Sequence, residues 1–153
     1  MSRLEVFRVS KIINAPLPFA YRWCTDFRED DYKMTGSTAR RRFLERTKSR
    51  IIWVVKYKDR GRSMEGVRAV WLKRPNSWHL DTCGDGREIG DYTLTGLKNG
   101  KTRLDMVFMV TYDNPTEVES EAELAKGGTR QWSIYGRFLE KEYKKSLGAR
   151  SRG

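Results

Sequence analysis

The stretch EIGDYTLTGLKNGKTRLDMVFMVTY, residues 88–112, decides the fold. Two runs rich in β-branched and aromatic residues, Glu88 to Leu97 and Thr102 to Tyr112, flank the pair Asn99-Gly100. A type I′ turn needs positive φ at both central residues, and Asn-Gly supplies it at low cost. The stretch therefore predicts two antiparallel strands joined by a tight hairpin.

The residues before this hairpin show the same pattern of β-rich runs separated by turn residues. Short β-rich runs alternate with turn signals every eight to twelve residues, which is typical of a sheet built from consecutive hairpins. The predicted strands are Arg41 to Thr47, Ile51 to Lys58, Glu65 to Lys73 and Trp78 to Cys83. Together with the last two runs they form an antiparallel meander.

The N-terminal part adds one strand and two short helices. Leu4 to Ile13 has no helical period and predicts a strand, which Pro16 and Pro18 end. Leu17 to Thr25 predicts a short helix, and Asp26 to Met34 predicts a second short helix or a turn. The sheet should therefore have seven strands.

A long helix closes the chain. Thr116 and Glu119 have the spacing of a capping box, and an apolar seam then recurs every three or four residues to about Leu147. Gly127-Gly128 should loosen or kink this helix. We expect one domain over residues 1–147 and a flexible basic tail over 148–153.

The composition excludes several classes of protein. With 153 residues, 38% hydrophobic and 12% aromatic, the chain is too apolar for intrinsic disorder. No apolar run approaches a membrane span, and the N-terminus lacks the apolar region of a secretory signal. Two cysteines make neither a disulfide framework nor a zinc site. We expect a cytoplasmic protein without a metal or cofactor.

The element order and several short motifs resemble one superfamily. Ile12-Ile13-Asn14-Ala15-Pro16, followed by Phe19 and Trp23, resembles the opening of START/polyketide-cyclase (SRPBCC, helix-grip) proteins. Gly90 to Leu94 and Gly100 to Leu104 resemble their late strand motifs, although Lys101 interrupts the usual Gly-Thr pair. The resemblance implies an α+β helix-grip fold, in which a curved antiparallel sheet wraps around the C-terminal helix and an apolar cavity.

Strand parity identifies the strand residues that would line such a cavity, and the C-terminal helix would add Trp132 and Tyr135. Large aromatic side chains dominate, and Arg68, Tyr57 and Tyr92 are the polar groups. The predicted ligand-binding residues are Trp53, Tyr57, Arg68, Trp78, Tyr92, Met106, Phe108, Trp132 and Tyr135. The alternative is that these side chains fill the interior as a solid core, since protein interiors are normally close-packed.

No catalytic residue is predicted. His79 alternates with Trp78 and Leu80, so it should face away from the apolar side, where Asp81 could pair with it. Cys24 lacks a nearby histidine and suits a buried structural thiol. The acidic runs Asp30-Asp31 and Glu117 to Glu123 are adjacent in sequence and solvated, so no inward acid is expected.

The basic segment 38–62 carries ten Lys and Arg but two acids. Arg40, Arg42, Arg46, Lys48 and Arg50 share parity, so one strand would place them on one face. Such a face could follow a phosphate backbone or an anionic membrane surface. The alternative is a solvated edge whose charges prevent edge-to-edge pairing. We do not expect nucleic-acid binding, because no nucleic-acid-binding motif accompanies the charge.

The sequence leaves three functions open. The leading hypothesis is binding of a hydrophobic or amphipathic small molecule, for example a lipid, between the sheet and the C-terminal helix. The alternative is a polyketide cyclase/dehydratase-like enzyme that uses the same cavity, so whether the protein is an enzyme stays undecided at this point. The third is binding of nucleic acid or an anionic surface through the basic segment. The oligomeric state is not defined by the sequence.

Overall fold

A computed structural model describes residues 3–59, 61–84, 87–112 and 119–152. A first strand is followed by a short helix, a 3-10 helix at Asp31–Thr35, six further strands and a long helix. The strands are β1 Arg3–Ile13, β2 Arg40–Arg46, β3 Arg50–Asp59, β4 Arg62–Lys73, β5 Ser77–Gly84, β6 Arg87–Gly96 and β7 Thr102–Tyr112; the helices are α1 Leu17–Thr25 and α2 Glu121–Arg150.

The seven strands form one antiparallel sheet in the order β1-β7-β6-β5-β4-β3-β2. The strands β2 to β7 make the predicted meander, and β1 pairs with β7 along its whole length, from Arg3 opposite Tyr112 to Ile13 opposite Thr102. A twisted sheet of this length curls. The predicted α+β fold, a seven-stranded antiparallel sheet with a long C-terminal helix, is confirmed.

The hairpin between β6 and β7 turns as its sequence predicts. Asn99 and Gly100 both have φ near +70°, the left-handed conformation that a type I′ turn requires. The Leu97 amide donates to the Lys101 carbonyl at 2.8 Å. Local sequence therefore sets the register of the two strands.

The helix α2 begins with a capping box, but at a different place from the predicted one. The Ser120 hydroxyl accepts from the Glu123 amide, and the Glu123 carboxylate accepts from the Ser120 amide. The predicted box at Thr116 lies outside the described residues. The helix extends to Arg150, past the predicted end at Leu147.

The pair Gly127-Gly128 lies within α2, which runs through it without a break. A Cβ atom at Gly128 would lie only 2.9 Å from Val9 Cγ2, so this glycine lets the helix approach β1. At Gly127 a Cβ atom would meet nothing within 4 Å. Loosening of the helix by these glycines stays a prediction.

The buried core lies between the concave face of the sheet and α2. Its most buried side chains come from five strands and the helix: Ile13, Ile51, Trp53, Val55, Val70, Leu94, Leu104 and Leu139. Burial of this apolar surface is the main contribution that holds α2 against the concave face of the sheet. Among the described residues, no helix is both long and apolar enough to cross a bilayer.

Candidate functional site

The core does not fill the whole interior. A cavity of about 990 Å³ lies between the concave face of the sheet and α2. This volume is at the upper end of the usual range for small-molecule sites, about 300–1,000 Å³. The solid-core alternative is therefore wrong for this part of the interior.

All nine predicted ligand-binding residues, seven from strand parity and two from the helix, line this cavity, namely Trp53, Tyr57, Arg68, Trp78, Tyr92, Met106, Phe108, Trp132 and Tyr135. The strands contribute every second residue because successive side chains point to opposite faces of a sheet. The lining also includes residues that sequence reasoning did not assign to it, among them Trp23, Cys24, Phe27, Asp31, Tyr32, Met34, Arg41 and Glu88. That the lining residues bind a ligand stays a prediction.

A chain of aromatic rings connects the sheet to the helix across the cavity. The rings of Trp78 and Tyr92 stack with centroids 4.8 Å apart and planes 7° from parallel. Tyr92 then contacts Trp132 at 6.1 Å, and Trp132 contacts Tyr135 at 5.5 Å. Offset and edge-on ring pairs of this kind are favourable beyond their buried area, so the wall presents flat, ordered apolar surfaces.

One end of the ring wall carries a charged pair. Arg68 Nη2 lies 3.5 Å from Glu88 Oε2, and a quarter of the Arg68 side chain remains exposed. The hydroxyls of Tyr57 and Tyr92 are close enough to interact electrostatically with this guanidinium. Burial raises the pKa of Tyr92 well above its usual range, so its hydroxyl stays a hydrogen-bond donor at neutral pH.

The expectation that no acid faces inward is wrong. Glu88 lies four residues before Tyr92 on β6, so parity places both on the same face. Asp31, on the 3-10 helix where no strand parity applies, is another carboxylate in the lining, which also includes Asp59, Glu119 and Glu123. The signal for Glu88 was thus present in the sequence, whereas Asp31 required the position of its helix.

A second arginine, Arg41 of β2, also lies in the cavity wall. Its guanidinium lies 4.5 Å from the ring centre of Trp53 and 4.7 Å from that of Tyr32. Its Nη1 donates to the Arg28 carbonyl at 2.6 Å and to Asp31 Oδ2 at 2.9 Å. Only 5% of the side chain is exposed, so this cation is held by carbonyl, carboxylate and ring contacts together.

Several polar contacts hold residues 26–35 against the rest of the protein. Arg46 donates to the carbonyls of Asp26 and Phe27 at 2.8 and 2.7 Å. From α2, Glu142 accepts from Trp23 Nε1 at 3.0 Å and from Arg28 Nη2 at 3.2 Å. These contacts place the segment over one side of the cavity.

The arginines of the basic segment do not share one face. A bulge between Phe43 and Glu45 shifts the register of β2 against β3. A bulge reverses the alternation of side chains, and Arg46 accordingly turns inward over the Phe43 ring, 4.2 Å away. Arg40 and Arg42 precede the bulge and keep the outward face, so the predicted common alignment is wrong.

His79 lies outside the cavity lining. Its Nδ1 is 2.7 Å from Asp91 Oδ1 on β6, because the register places the two residues opposite each other. The suggested pairing with Asp81 is therefore wrong. Cys24 is buried, and burial and the nearby carboxylates of Asp26 and Asp31 raise the pKa of its thiol. The thiol stays protonated, in keeping with a structural role.

The described residues contain no group of three or more His, Cys, Asp or Glu side chains that could hold a metal ion. The polar groups of the cavity are instead dispersed among aromatic rings. This arrangement suits recognition of an organic molecule by a few hydrogen bonds within an apolar site.

Comparison with known proteins shows which solved structures share this fold. No protein-family profile and no curated protein sequence matches the chain. Among solved structures, the Zhui aromatase/cyclase from Streptomyces sp. R1128 matches with a TM-score of 0.70 at 11% identity, over 95% of this chain and 96% of that one. A START superfamily protein from Mycobacterium smegmatis matches with a TM-score of 0.68 at 16% identity, over 92% and 97% of the two chains.

A protein from Thermus thermophilus matches similarly, with a TM-score of 0.71 at 14% identity over 93% of this chain and 99% of that one. The resemblance to the START/polyketide-cyclase superfamily is confirmed at the level of the fold. At such low sequence identities the similarity shows the fold alone. The chemistry of the site therefore has to be argued from the residues of this chain.

Proposed function

We propose that the protein binds a hydrophobic or amphipathic small molecule in the cavity between the sheet and α2. One observation carries the proposal: a cavity of about 990 Å³ is lined by aromatic rings and contains a charged pair at one side. Burial of ligand surface against these rings would supply roughly 25 cal/mol per Å² before the costs of binding.

The polar side of the cavity indicates the kind of ligand. Arg68 faces a carboxylate at 3.5 Å, longer than the usual 2.7–2.9 Å of a charge-assisted hydrogen bond. The guanidinium can therefore take a second acceptor. A ligand with a flat or aliphatic apolar body and an anionic or carbonyl group would place the body on Trp78 and Tyr92 and the acceptor on Arg68.

Titration with 1-anilinonaphthalene-8-sulfonate tests this proposal, because the probe joins aromatic rings to an anion. We expect saturable binding of one probe per protein. Met106→Trp should abolish it by filling the cavity, since Met106 is buried in the lining. Met109→Trp, which adds the same ring on the opposite face of β7, is the matched control and should retain binding.

Two results would refute the proposal: no saturable binding of any apolar probe, or equal binding by the Met106→Trp and wild-type proteins. Circular dichroism should first show that both variants fold. Native mass spectrometry of freshly purified protein provides an independent readout, since a co-purified ligand would appear as a mass that Met106→Trp loses.

A second candidate function is cyclisation of a poly-β-carbonyl chain, favoured by the convergence of Glu88, Arg68 and Tyr92. Glu88 would remove a proton from a methylene carbon between two carbonyl groups. The resulting carbanion would attack a ketone carbon of the same chain, which Arg68 and the Tyr92 hydroxyl would polarise. As the new carbon–carbon bond forms, the ketone oxygen takes up the proton held by Glu88, which gives a ring alcohol and restores the carboxylate. Water can then leave from this alcohol.

The test is turnover of a short triketide or tetraketide thioester by wild type and Glu88→Gln, followed as ring product by mass spectrometry. Loss of turnover with probe binding retained would support catalysis. Product formation at the uncatalysed rate in the wild type, or at equal rates in both proteins, would exclude this candidate and leave the binding function in place.

A further inference from the structure

The outward face of the sheet carries an apolar patch that no described helix covers, because α2 packs on the concave side. We define the outer patch as Leu44, Ile52, Val54, Val67, Ala69, Trp71 and Cys83. The register places Val54, Val67 and Cys83 in one row across β3, β4 and β5, with Ile52 beside Ala69 in the next. Leu44 adjoins them at the β2 bulge.

Four members of the outer patch are exposed: Leu44 at 52%, Trp71 at 39%, Val67 at 36%, and Cys83. Isolated exposed apolar residues are common, but contiguous patches mark interaction sites. Trp71 is also ordered, since its ring contacts the His79 ring at 5.7 Å and His79 is held by Asp91.

Cations border the outer patch on the side of β2 and β3. Arg42 lies beside Val54, and Arg40 lies beside Lys56. Both arginines are exposed, and neither has an acidic partner among the described residues. Arg50, which lies beside Trp71, is engaged by Glu45. The surface thus has an apolar centre with a tryptophan and a basic margin on the side of β2 and β3, while Asp81 lies beside Ala69 on the side of β5.

We propose that the outer patch and its basic margin dock on an anionic lipid bilayer. Tryptophan and aliphatic side chains partition into the membrane interface, and neighbouring arginines are attracted by anionic headgroups. The net charge of +11 adds a general attraction to such a surface.

The composition of the surface favours a bilayer over two other partners, a nucleic acid and a second copy of the chain. A phosphate backbone would use the arginines but would gain nothing from the exposed side chains of Leu44 and Val67. A second copy of the chain would bring like charges together. The β2 edge also carries a bulge and arginines, which are features that oppose strand pairing between copies.

Vesicle co-sedimentation tests the proposal, with phosphatidylcholine alone and phosphatidylcholine mixed with phosphatidylserine. We expect binding to the mixed vesicles that weakens with added salt. The double variant Arg40→Glu, Arg42→Glu should lower the affinity by about tenfold or more, since each basic residue near an anionic surface contributes appreciably. Trp71→Ser should lower it severalfold while leaving the salt dependence unchanged.

The double variant Lys141→Glu, Lys144→Glu is the matched control, because it makes the same charge change on exposed residues of α2. It should retain most of the binding. A second readout uses the exposed thiol of Cys83, since Cys24 is buried. An environment-sensitive dye on Cys83 should shift to the blue with mixed vesicles and not with phosphatidylcholine.

Several results would overturn the proposal. Equal loss of binding in the α2 control would show that charge alone acts. Duplex DNA binding at physiological salt, lost in Arg40→Glu, Arg42→Glu without any vesicle binding, would assign the surface to nucleic acid. A dimer in sedimentation that Trp71→Ser dissociates would assign it to a second copy. Met106→Trp should still bind vesicles, which separates this proposal from the cavity function.

Discussion

Two arginines, Arg41 and Arg68, lie in the wall of the same cavity but in opposite situations. Arg41 is almost fully buried, contacts the rings of Trp53 and Tyr32, and donates to a carbonyl and a carboxylate at 2.6 and 2.9 Å. Arg68 is more exposed and has one carboxylate at 3.5 Å. The comparison shows that a charged side chain in a cavity wall can either stabilise the fold or bind a ligand. The number and length of its hydrogen bonds to the protein distinguish these two roles.

The largest expected effect is on stability when Arg41 is lost. Arg41→Met removes the closer of the two arginine partners of Asp31 and leaves Arg28 at 3.6 Å. It should lower the free energy of unfolding by about 3 kcal/mol, because breaking a buried ion pair leaves the remaining charge poorly compensated. Urea unfolding measures it. If Arg68→Met destabilises the protein as much as Arg41→Met, the distinction between the two arginines fails.

A smaller effect is expected on ligand affinity when Arg68 is lost. Arg68→Met should weaken binding of 1-anilinonaphthalene-8-sulfonate by about tenfold, equal to about 1.4 kcal/mol, because the anion loses its charged donor. An uncharged naphthalene probe should bind with little change, and stability should fall by less than about 1 kcal/mol. Equal loss for the charged and uncharged probes would show that Arg68 acts by shaping the cavity.

The Arg41 side of the cavity should also respond to pH. Burial raises the pKa of Asp26 to about 6, with Asp31 and Glu142 adding to the rise and Arg28 and Arg46 opposing it. Since the folded protein binds this proton more tightly than the unfolded chain does, ionisation of Asp26 lowers the free energy of unfolding at neutral pH. This loss of stability is the penalty for the ionised form. The penalty is relieved as the pH falls through 6.

Asp26→Asn should therefore raise the free energy of unfolding at pH 7 by about 1 kcal/mol, after allowance for the solvent screening of a partly exposed group. The advantage should shrink between pH 7 and pH 5 and vanish below the unfolded pKa. Thermal unfolding at several pH values measures it. A constant difference between variant and wild type would contradict the assignment of the titration to Asp26.

The smallest effect concerns the partner of Arg68. Glu88→Gln should change the free energy of unfolding by less than about 1 kcal/mol, since the pair is partly exposed and loosely placed. It should also tighten binding of the anionic probe severalfold, because the carboxylate no longer competes for the guanidinium. Fluorescence titration measures the change, and weaker binding in Glu88→Gln would show that Glu88 positions Arg68 for the ligand.

Much of the fold was predictable because its signals are local. The Asn99-Gly100 turn and the alternation of side chains define the meander, and parity placed Trp53, Tyr92 and Met106 in the cavity wall. The same parity would have identified Glu88 had it been extended from Tyr92 back to the start of β6. The helix start differed, since two residue pairs had the spacing of a capping box and only the one at Ser120 lies within the described residues.

Other parts of the site were not predictable, because they depend on contacts between distant segments. Arg41 alternates with Arg40 and Arg42 in the sequence, but its partners come from the segment 26–35, which brings Asp31 and the Arg28 carbonyl to its guanidinium. The one-residue bulge in β2 places Arg46 on the inward face of the sheet, whereas Arg40 and Arg42 remain on the outward face. No periodicity in the sequence shows where such a bulge occurs.

The amino-acid sequence by itself determined the strands, the hairpin and the apolar faces that must meet, because turn geometry and side-chain alternation act over a few residues. Tertiary structure alone decided how much space the sheet and α2 leave between them and which charges enter it. That space and its charges depend on the curvature of the whole sheet and on side chains far apart in the chain. The physical reason is that packing is a property of surfaces in contact, whereas propensity is a property of neighbours along the backbone.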